Sequence, residues 1–410
     1  MEPTTTLSNN QLQAIRRAAD RLQSGMVDFA RRLIQTPSPS GDEAAIARLT
    51  IDELRRLGYD DVWTDRVGNV IGAIRGTSGG PSVQFNAHLD HVAPGNPSLW
   101  PHPAYGGVID GDVLFGRGAS DVKGAMAAQV YLAAVLNDTG LRPAGDVIFA
   151  GVVLEEVGGF GSDALATEMP TTYAVLAEAT KNQINRGHRG RVLLNVTFTG
   201  LSAHASAPER ARNPHFAAAR FLLSIEHLPM VTDSTFGGSS VAPTLASVDQ
   251  TSANVTPAVV DLFLDWRNIP DETTDMVLAE IRPLVESAAA AVDGVTGSVE
   301  VVGRPVTTYT GIDAVMPSTR GFVTPVGHPL VRHSQSILAR ALARPVDVGA
   351  WTFATDGGHL SHHGITTIGF APGEERFAHT IHDQISLSLM HEALIGNAAL
   401  ALAITATHEG

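Results

Sequence analysis

The sequence predicts an α/β fold in which a mixed-sheet domain is interrupted by an inserted α+β block. Three observations predict it. From residue 83 to residue 179, apolar runs of strand character alternate with helix-patterned segments, the mark of a layered α/β fold. Between Arg189 and Arg304 the texture changes to a block of roughly 115 residues with its own strands and helices, enough for a small domain. Near Tyr309 the first texture resumes and runs to the C-terminus. The expected ranges are 1–188 and 305–410 for the interrupted domain and 189–304 for the insertion.

The elements follow in order. Residues 11–35 carry helical apolar spacing (Ile15, Leu22, Met26, Phe29, Leu33, Ile34). Thr36-Pro37-Ser38-Pro39 ends that helix, because proline offers no N–H to continue the ladder. Ser40-Gly41-Asp42-Glu43 fits a capping box opening a second helix through Leu57. Residues 62–74, with Gly68-Asn69 inside, read as a hairpin. Buried strands are expected at 83–87, 147–154, 173–177 and 366–371, with a helix at 124–136. Inside the insertion, strands are expected at 192–198, 244–248, 259–266 and 298–302, and helices at 214–227 and 274–292.

Bulk properties narrow the function. A chain of 410 residues points to two or three domains. At 44% hydrophobic and 17% charged, it has the balance of an ordinary globular protein. A formal net charge of -14 argues against nucleic acid as a partner, since phosphate binding calls for a basic face. The absence of cysteine excludes disulfides, thiolate metal sites and a thiol nucleophile, and leaves the redox compartment open. Residues 1–20 are polar and lack the apolar core of a signal peptide. No uncharged apolar stretch reaches the roughly 20 residues a membrane helix needs. The expectation is a cytoplasmic enzyme with a small-molecule substrate and no membrane partner.

The chemistry gathers at strand ends. Five acid-or-histidine sites each fall just past an apolar run: His88-Leu89-Asp90, Asp121, Glu155-Glu156, Glu178 and His379. In open α/β sheets, binding groups collect beyond the carboxyl ends of the strands. Two imidazoles and several carboxylates gathered there make a divalent-metal site. In His88-x-Asp90, period-two geometry puts both side chains on one side, so His88 is a candidate ligand and Asp90 the carboxylate that orients it. Asp121 lies in Gly116-Arg117-Gly118-Ala119-Ser120-Asp121-Val122-Lys123-Gly124. The glycines invite a phosphate loop, but the Gly-Lys-Ser/Thr ending is missing. A carboxylate on a tight loop before a helix instead suits a bridge between two metals. Glu155 and Glu156 follow the most apolar strand. Adjacent buried carboxylates repel unless a cation or proton compensates, so one ligates and the other is left as a general base. Glu178 repeats the strand-end pattern. His359 and His363, four apart, compete with His379 as ligands. His379 is preferred because it follows its strand and the Pro372-Gly373 turn, whereas the other two precede the strand.

Together these motifs resemble the zinc metallohydrolase family of aminoacylase, acetylornithine deacetylase, succinyl-diaminopimelate desuccinylase and glutamate carboxypeptidase. The resemblance rests on Asn86-Ala87-His88-Leu89-Asp90, Gly116 to Gly124, Glu155-Glu156-Val157-Gly158-Gly159, Ala177-Glu178, Gly200-Leu201-Ser202-Ala203-His204-Ala205 and Ala378-His379, in order across almost the whole chain. It implies a zinc-peptidase-like catalytic domain with an inserted lid and dimerisation domain. It implies two Zn²⁺, one held by His88 and Glu178 and the other by Glu156 and His379, with Asp121 bridging. Glu155 would be the general base. His204 would reach across a homodimer to polarise the scissile carbonyl. Asn254, Arg267 and Gly357, the last within Thr355-Asp356-Gly357-Gly358, align with substrate-binding positions. Oxygen and nitrogen ligands also admit Mn²⁺ or Co²⁺. The sequence departs from the family at His382-Asp383, where Asn-Glu is frequent, and in the dense histidines His359, His362 and His363.

The expected reaction is hydrolysis of the amide bond of an N-acyl amino acid or small dipeptide by a metal-bound hydroxide. The nearest alternative keeps the site and changes the bond, to a carbamoyl group or an aryl amine. A catalytically silent binding protein is a remote alternative, since Glu155 and every ligand are retained. A purely structural metal site fits poorly with ligands so widely separated in sequence.

Overall fold

The computed structural model describes residues 7–406; the outermost parts of the expected ranges, residues 1–6 and 407–410, lie outside the described residues. An eight-stranded mixed sheet forms the framework. Its order is Asp61–Thr64, Val70–Ile74, Val147–Val152, Val83–His88, Tyr173–Leu176, Thr366–Gly369, Ile184–Asn185 and Val348–Gly349. The first three strands pair antiparallel, whereas Val83–His88 runs parallel to both of its neighbours, as Thr366–Gly369 does to Tyr173–Leu176. The central strands are buried on both faces, which is why they read as unbroken apolar runs.

The helices Asn9–Ile34, Gly124–Val130, Leu132–Thr139 and Leu387–Thr405 cover one face, packing Phe29, Tyr131, Leu394 and Leu400 against Phe85 and Phe149. Leu387–Thr405 is long and apolar enough to cross a membrane by length and composition, and 72% of it is buried within this core. Apolar residues around its whole circumference therefore match a helix enclosed by neighbours.

Residues within the expected insertion build a separate antiparallel sheet, ordered Ser240–Val248, Val259–Arg267, Val192–Thr199 and Thr296–Val301. Helices Thr274–Ala290 and His215–Glu226 pack on it around a second core with Phe198, Phe221, Trp266 and Ile281. Alternation along Val192–Thr199 and Val259–Arg267 sends every second side chain into that core.

Two local expectations are corrected. The capping box at Ser40 does not form: the second helix starts at Ala44, and the Ser40 hydroxyl donates instead to Asp90 Oδ2 at 2.6 Å. Glu43 turns inward and accepts from the Gly41 and Leu154 amides. The strand expected through Leu154 stops at Val152, where Leu154 takes a positive φ of 61° and turns the chain.

Candidate metal centre and active site

The parallel strands Val147–Val152, Val83–His88 and Tyr173–Leu176 end at one edge, and the chain beyond each delivers chemistry to it. His88 is the last residue of its strand and is buried. Its Nδ1–H donates to the Asp90 backbone carbonyl at 2.9 Å, which turns Nε2 toward the neighbouring acids. That nitrogen lies 3.0 Å from Asp121 Oδ1 and 3.8 Å from Glu178 Oε1. The other Asp121 oxygen, Oδ2, lies 3.0 Å from His379 Nε2, which is also 3.0 Å from Glu156 Oε2. Asp121 thus spans both imidazoles with separate oxygens.

Asp90 works differently from expectation. Its carbonyl, not its carboxylate, orients His88; the nearest approach of carboxylate to Nδ1 is 3.7 Å. The buried carboxylate accepts from the Glu155 amide at 3.1 Å, the Glu156 amide at 3.2 Å and the Ser40 hydroxyl. It therefore fixes the turn that carries both glutamates. That turn is a single 3-10 helix, Glu155–Val157, so the strand-alternation argument for their separate roles does not apply.

The Asp121 loop has a clamp of its own in Asp383, one of the sequence's departures from the family pattern. Its buried carboxylate accepts from the Gly118 amide at 2.7 Å, the Ser120 amide at 2.9 Å and Arg117 Nη1 at 3.1 Å. Arg117 stacks on Trp100 at 4.9 Å. Asp383 lies four residues beyond His379, so one short segment positions both the imidazole and the loop bearing Asp121.

Electrostatics show what these groups lack. Burial pushes Glu155 well above the usual carboxylate range, with further upward pressure from Glu178 and Asp356. Burial, then the charge on Asp121, does the same to Glu178. Burial alone would depress the His88 ring, but Asp121, Glu155 and Glu178 beside it hold it well above its ordinary value. His379, bonded to Asp121 and Glu156, is pushed up to about 10. Acids and bases that raise one another in this way are short of positive charge. Ligand atoms of His88, Glu155 and Glu178, and of His88, Asp121 and Glu156, lie within 4.8 Å of one another. With lone pairs of nitrogen and carboxylate oxygen converging and no sulfur, the donor set fits divalent zinc, manganese or cobalt.

A cavity of about 460 Å³ opens beside these residues, lined among others by Glu155, Glu156, Arg191, Arg304, Thr355, Asp356 and His359. The structure does not bring every expected residue there. His204 and Asn254 are exposed on a small ribbon of Ala203–His204 with Val255–Thr256; His204 Nδ1 meets Ser206 Oγ at 2.7 Å, and Asn254 Oδ1 accepts from Ser252. Arg267 is occupied by Asp265, Nε to Oδ1 at 2.7 Å. Gly357 is buried, its amide donating to Thr355 Oγ1 and its Cα facing Phe322 and Leu176. The cavity takes Thr355 and Asp356 from that stretch instead. Arg191, Arg304 and His359 were not assigned from the sequence. The histidine cluster was a visible signal for His359, but no local pattern marks the two arginines.

Fold and site together define a metal-dependent hydrolase acting on amide bonds. A model of the peptidase family M20/M25/M40 matches residues 84–403, and the chain belongs to that family. It is 30% identical over 421 residues to the Escherichia coli (strain K12) protein YgeY, whose function is uncharacterised, covering 97% of this chain and 99% of that one. It is 29% identical over 285 residues to succinyl-diaminopimelate desuccinylase of Methylocella silvestris, covering 65% and 73% of the two chains. Among solved structures, aminopeptidase PepT of Bacillus cereus superposes with a TM-score of 0.74 at 23% identity, covering 94% of this chain and 98% of that one.

Proposed function

We propose that the chain is a dinuclear zinc hydrolase that cleaves the amide bond of an N-acyl amino acid or small dipeptide. The observation that carries this reading is Asp121 spanning His88 and His379 at 3.0 Å from each, with Glu155 left over at the cavity wall. His88 and Glu178 would hold one metal, Glu156 and His379 the other, with Asp121 between them. When bound, the metals supply Lewis acidity, which brings the pKa of water from 15.7 to about 7.

The chain's own residues do the rest. Glu155 takes a proton from the attacking water and passes it to the nitrogen of the departing amine. Glu155 lines the cavity, and its carboxylate oxygen lies within 4.8 Å of ligand atoms of His88 and Glu178, within reach of a water held there. Asp90 keeps Glu155 and Glu156 in register through their amides. We assign residues 189–304 as a lid and dimerisation domain. His204 and Asn254, exposed and outside the cavity of their own chain, would then serve the site of a second copy. Exposed Phe216, Leu223 and Leu245 on the same block support such an interface. Arg304, which lines the cavity, is placed to meet a substrate carboxylate, whereas Asp265 holds both Arg267 and Arg191.

Product-resolved hydrolysis of N-acetyl, N-succinyl and N-carbamoyl amino acids, dipeptides and aryl amines by zinc-loaded protein tests the reading. Amide cleavage supports it. Turnover confined to carbamoyl or aryl-amine compounds would replace it with the non-peptide C–N reading, and metal loading without any turnover would favour a binding role.

A further inference from the structure

Amide hydrolysis at this site depends on where Glu155 points, yet no hydrogen bond among the described residues reaches its carboxyl group. Its aim is therefore set by the backbone that carries it. That backbone does not hold itself: Leu154, just before it, takes a left-handed φ of 61°, which costs a side-chain-bearing residue about 1–2 kcal/mol. Three consecutive amides follow this turn, and buried carboxyl groups accept from all of them. Asp90 takes the Glu155 and Glu156 amides at 3.1 and 3.2 Å. Glu43 Oε1 takes the Leu154 amide at 3.3 Å.

Glu43 is fully buried, far from the metal ligands in sequence, and so far without a role. Its Oε1 also accepts from the Gly41 amide at 3.0 Å, whereas Oε2 is buried with no hydrogen-bond partner. An oxygen in that state costs about 1–3 kcal/mol. Stability alone thus does not explain a carboxyl group here, since an apolar side chain of the same length would fill the space without that cost. What only an acceptor supplies is the bond to Leu154. The loop presenting it is tied to the chain just beyond His88. Ser38 Oγ donates to the Leu89 carbonyl at 2.7 Å, the Ser38 amide to His91 Nε2 at 2.9 Å, and Ser40 Oγ to Asp90 Oδ2 at 2.6 Å. One short loop holds both carboxyl groups against the turn.

We infer that Glu43 is a positioning residue for Glu155: its Oε1 anchors the Leu154 amide, so that the turn after Val147–Val152 presents the general base to the cavity. The proposal rests on the reading of Glu155 as that base.

Hydrogen exchange of the zinc-loaded protein, followed by mass spectrometry over residues 153–157, reports the turn without turnover. Glu43→Met keeps the length and removes the acceptor, whereas Glu43→Gln keeps both. Exchange in this segment is expected to quicken about 10-fold in Glu43→Met and to stay near wild type in Glu43→Gln. Turnover of the amide that wild type cleaves fastest then separates positioning from general damage. In Glu43→Met, kcat is expected to fall about 10–100-fold with KM and metal content little changed, and Glu43→Gln should recover most of it. Added to Glu155→Gln, Glu43→Met should cost nothing more, because groups that act through one another are not additive. Circular dichroism reports folding, and Glu43→Ala takes the place of Glu43→Met should the latter not fold. Unchanged exchange in the folded variant, a Glu43→Gln protein as impaired as Glu43→Met, or a further equal loss on top of Glu155→Gln would overturn the proposal. Full turnover by Glu155→Gln would instead remove the general base, while the exchange data still decide whether Glu43 holds the turn.

Discussion

Acid should destabilise this fold through His188, a residue away from the metal centre. The ring is fully buried, its Nδ1–H donates to the Arg189 carbonyl at 2.9 Å, and its Nε2 accepts from the Thr355 amide at 3.0 Å. Phe322 packs edge-on at 4.9 Å. A neutral ring satisfies both bonds; a proton on Nε2 would find the Thr355 carbonyl at 3.1 Å, but it would put a charge in a fully buried ring and leave the Thr355 amide unpaired. Burial accordingly pulls the imidazole down to about 4 from an ordinary 6.5. The unfolded chain then binds more protons than the folded one between pH 4 and 6.5, so stability rises with pH across that window and is complete above it. At about 1.4 kcal/mol per pH unit, a shift of roughly 2.5 units is worth about 3 kcal/mol in full, of which about 2 kcal/mol is lost between pH 8 and pH 5. The assay is urea unfolding of metal-free wild type and His188→Gln at both pH values. Other buried groups titrate in both proteins, so the difference between their pH dependences isolates His188. The wild type should lose about 2 kcal/mol more than the variant. Equal losses would refute the buried neutral ring.

Other consequences follow from particular contacts. Asp383→Ala leaves the Gly118 and Ser120 amides and Arg117 without their acceptor, so the loop bearing Asp121 should loosen and metal affinity fall about 10–100-fold in a chelator competition. His204→Ala should lower kcat by about 10²–10³ if a second copy supplies the oxyanion donor, and mixing it with Glu155→Gln should regain activity through hybrid dimers. Trp266→Ala empties the centre of the insertion's core and should cost about 3–5 kcal/mol, read as an earlier thermal transition.

The sequence made the framework legible because its central strands are buried on both faces and its candidate ligands sit just past them. His88, Glu178 and the Glu155-Glu156 pair could be located by that rule alone. What periodicity could not reveal is how the polar atoms pair. Asp90 looked like the carboxylate orienting a histidine, but its oxygens were drawn to the Glu155 and Glu156 amides once Leu154 turned the strand into a 3-10 helix. Arg267 matched a substrate-binding position, but Asp265, two residues away along the same strand, lies on the same face and captures it. The cavity lining drew Arg191 and Arg304 from either end of the insertion, residues more than a hundred positions apart with no shared pattern. His359 stood out only by histidine density, and its setting depends on Asp163 from another helix.

The central claim is that Glu155 moves the proton in a metal-dependent amide hydrolysis. The most direct measurement pairs bound-metal content with turnover of one cleaved amide substrate, in wild type and Glu155→Gln. Two metals per chain are expected in both proteins, with a fall in kcat of about 10²–10⁴ in the variant, the usual range for a lost general base. Full turnover by Glu155→Gln, or wild-type turnover undiminished after the metal has been stripped, would contradict it.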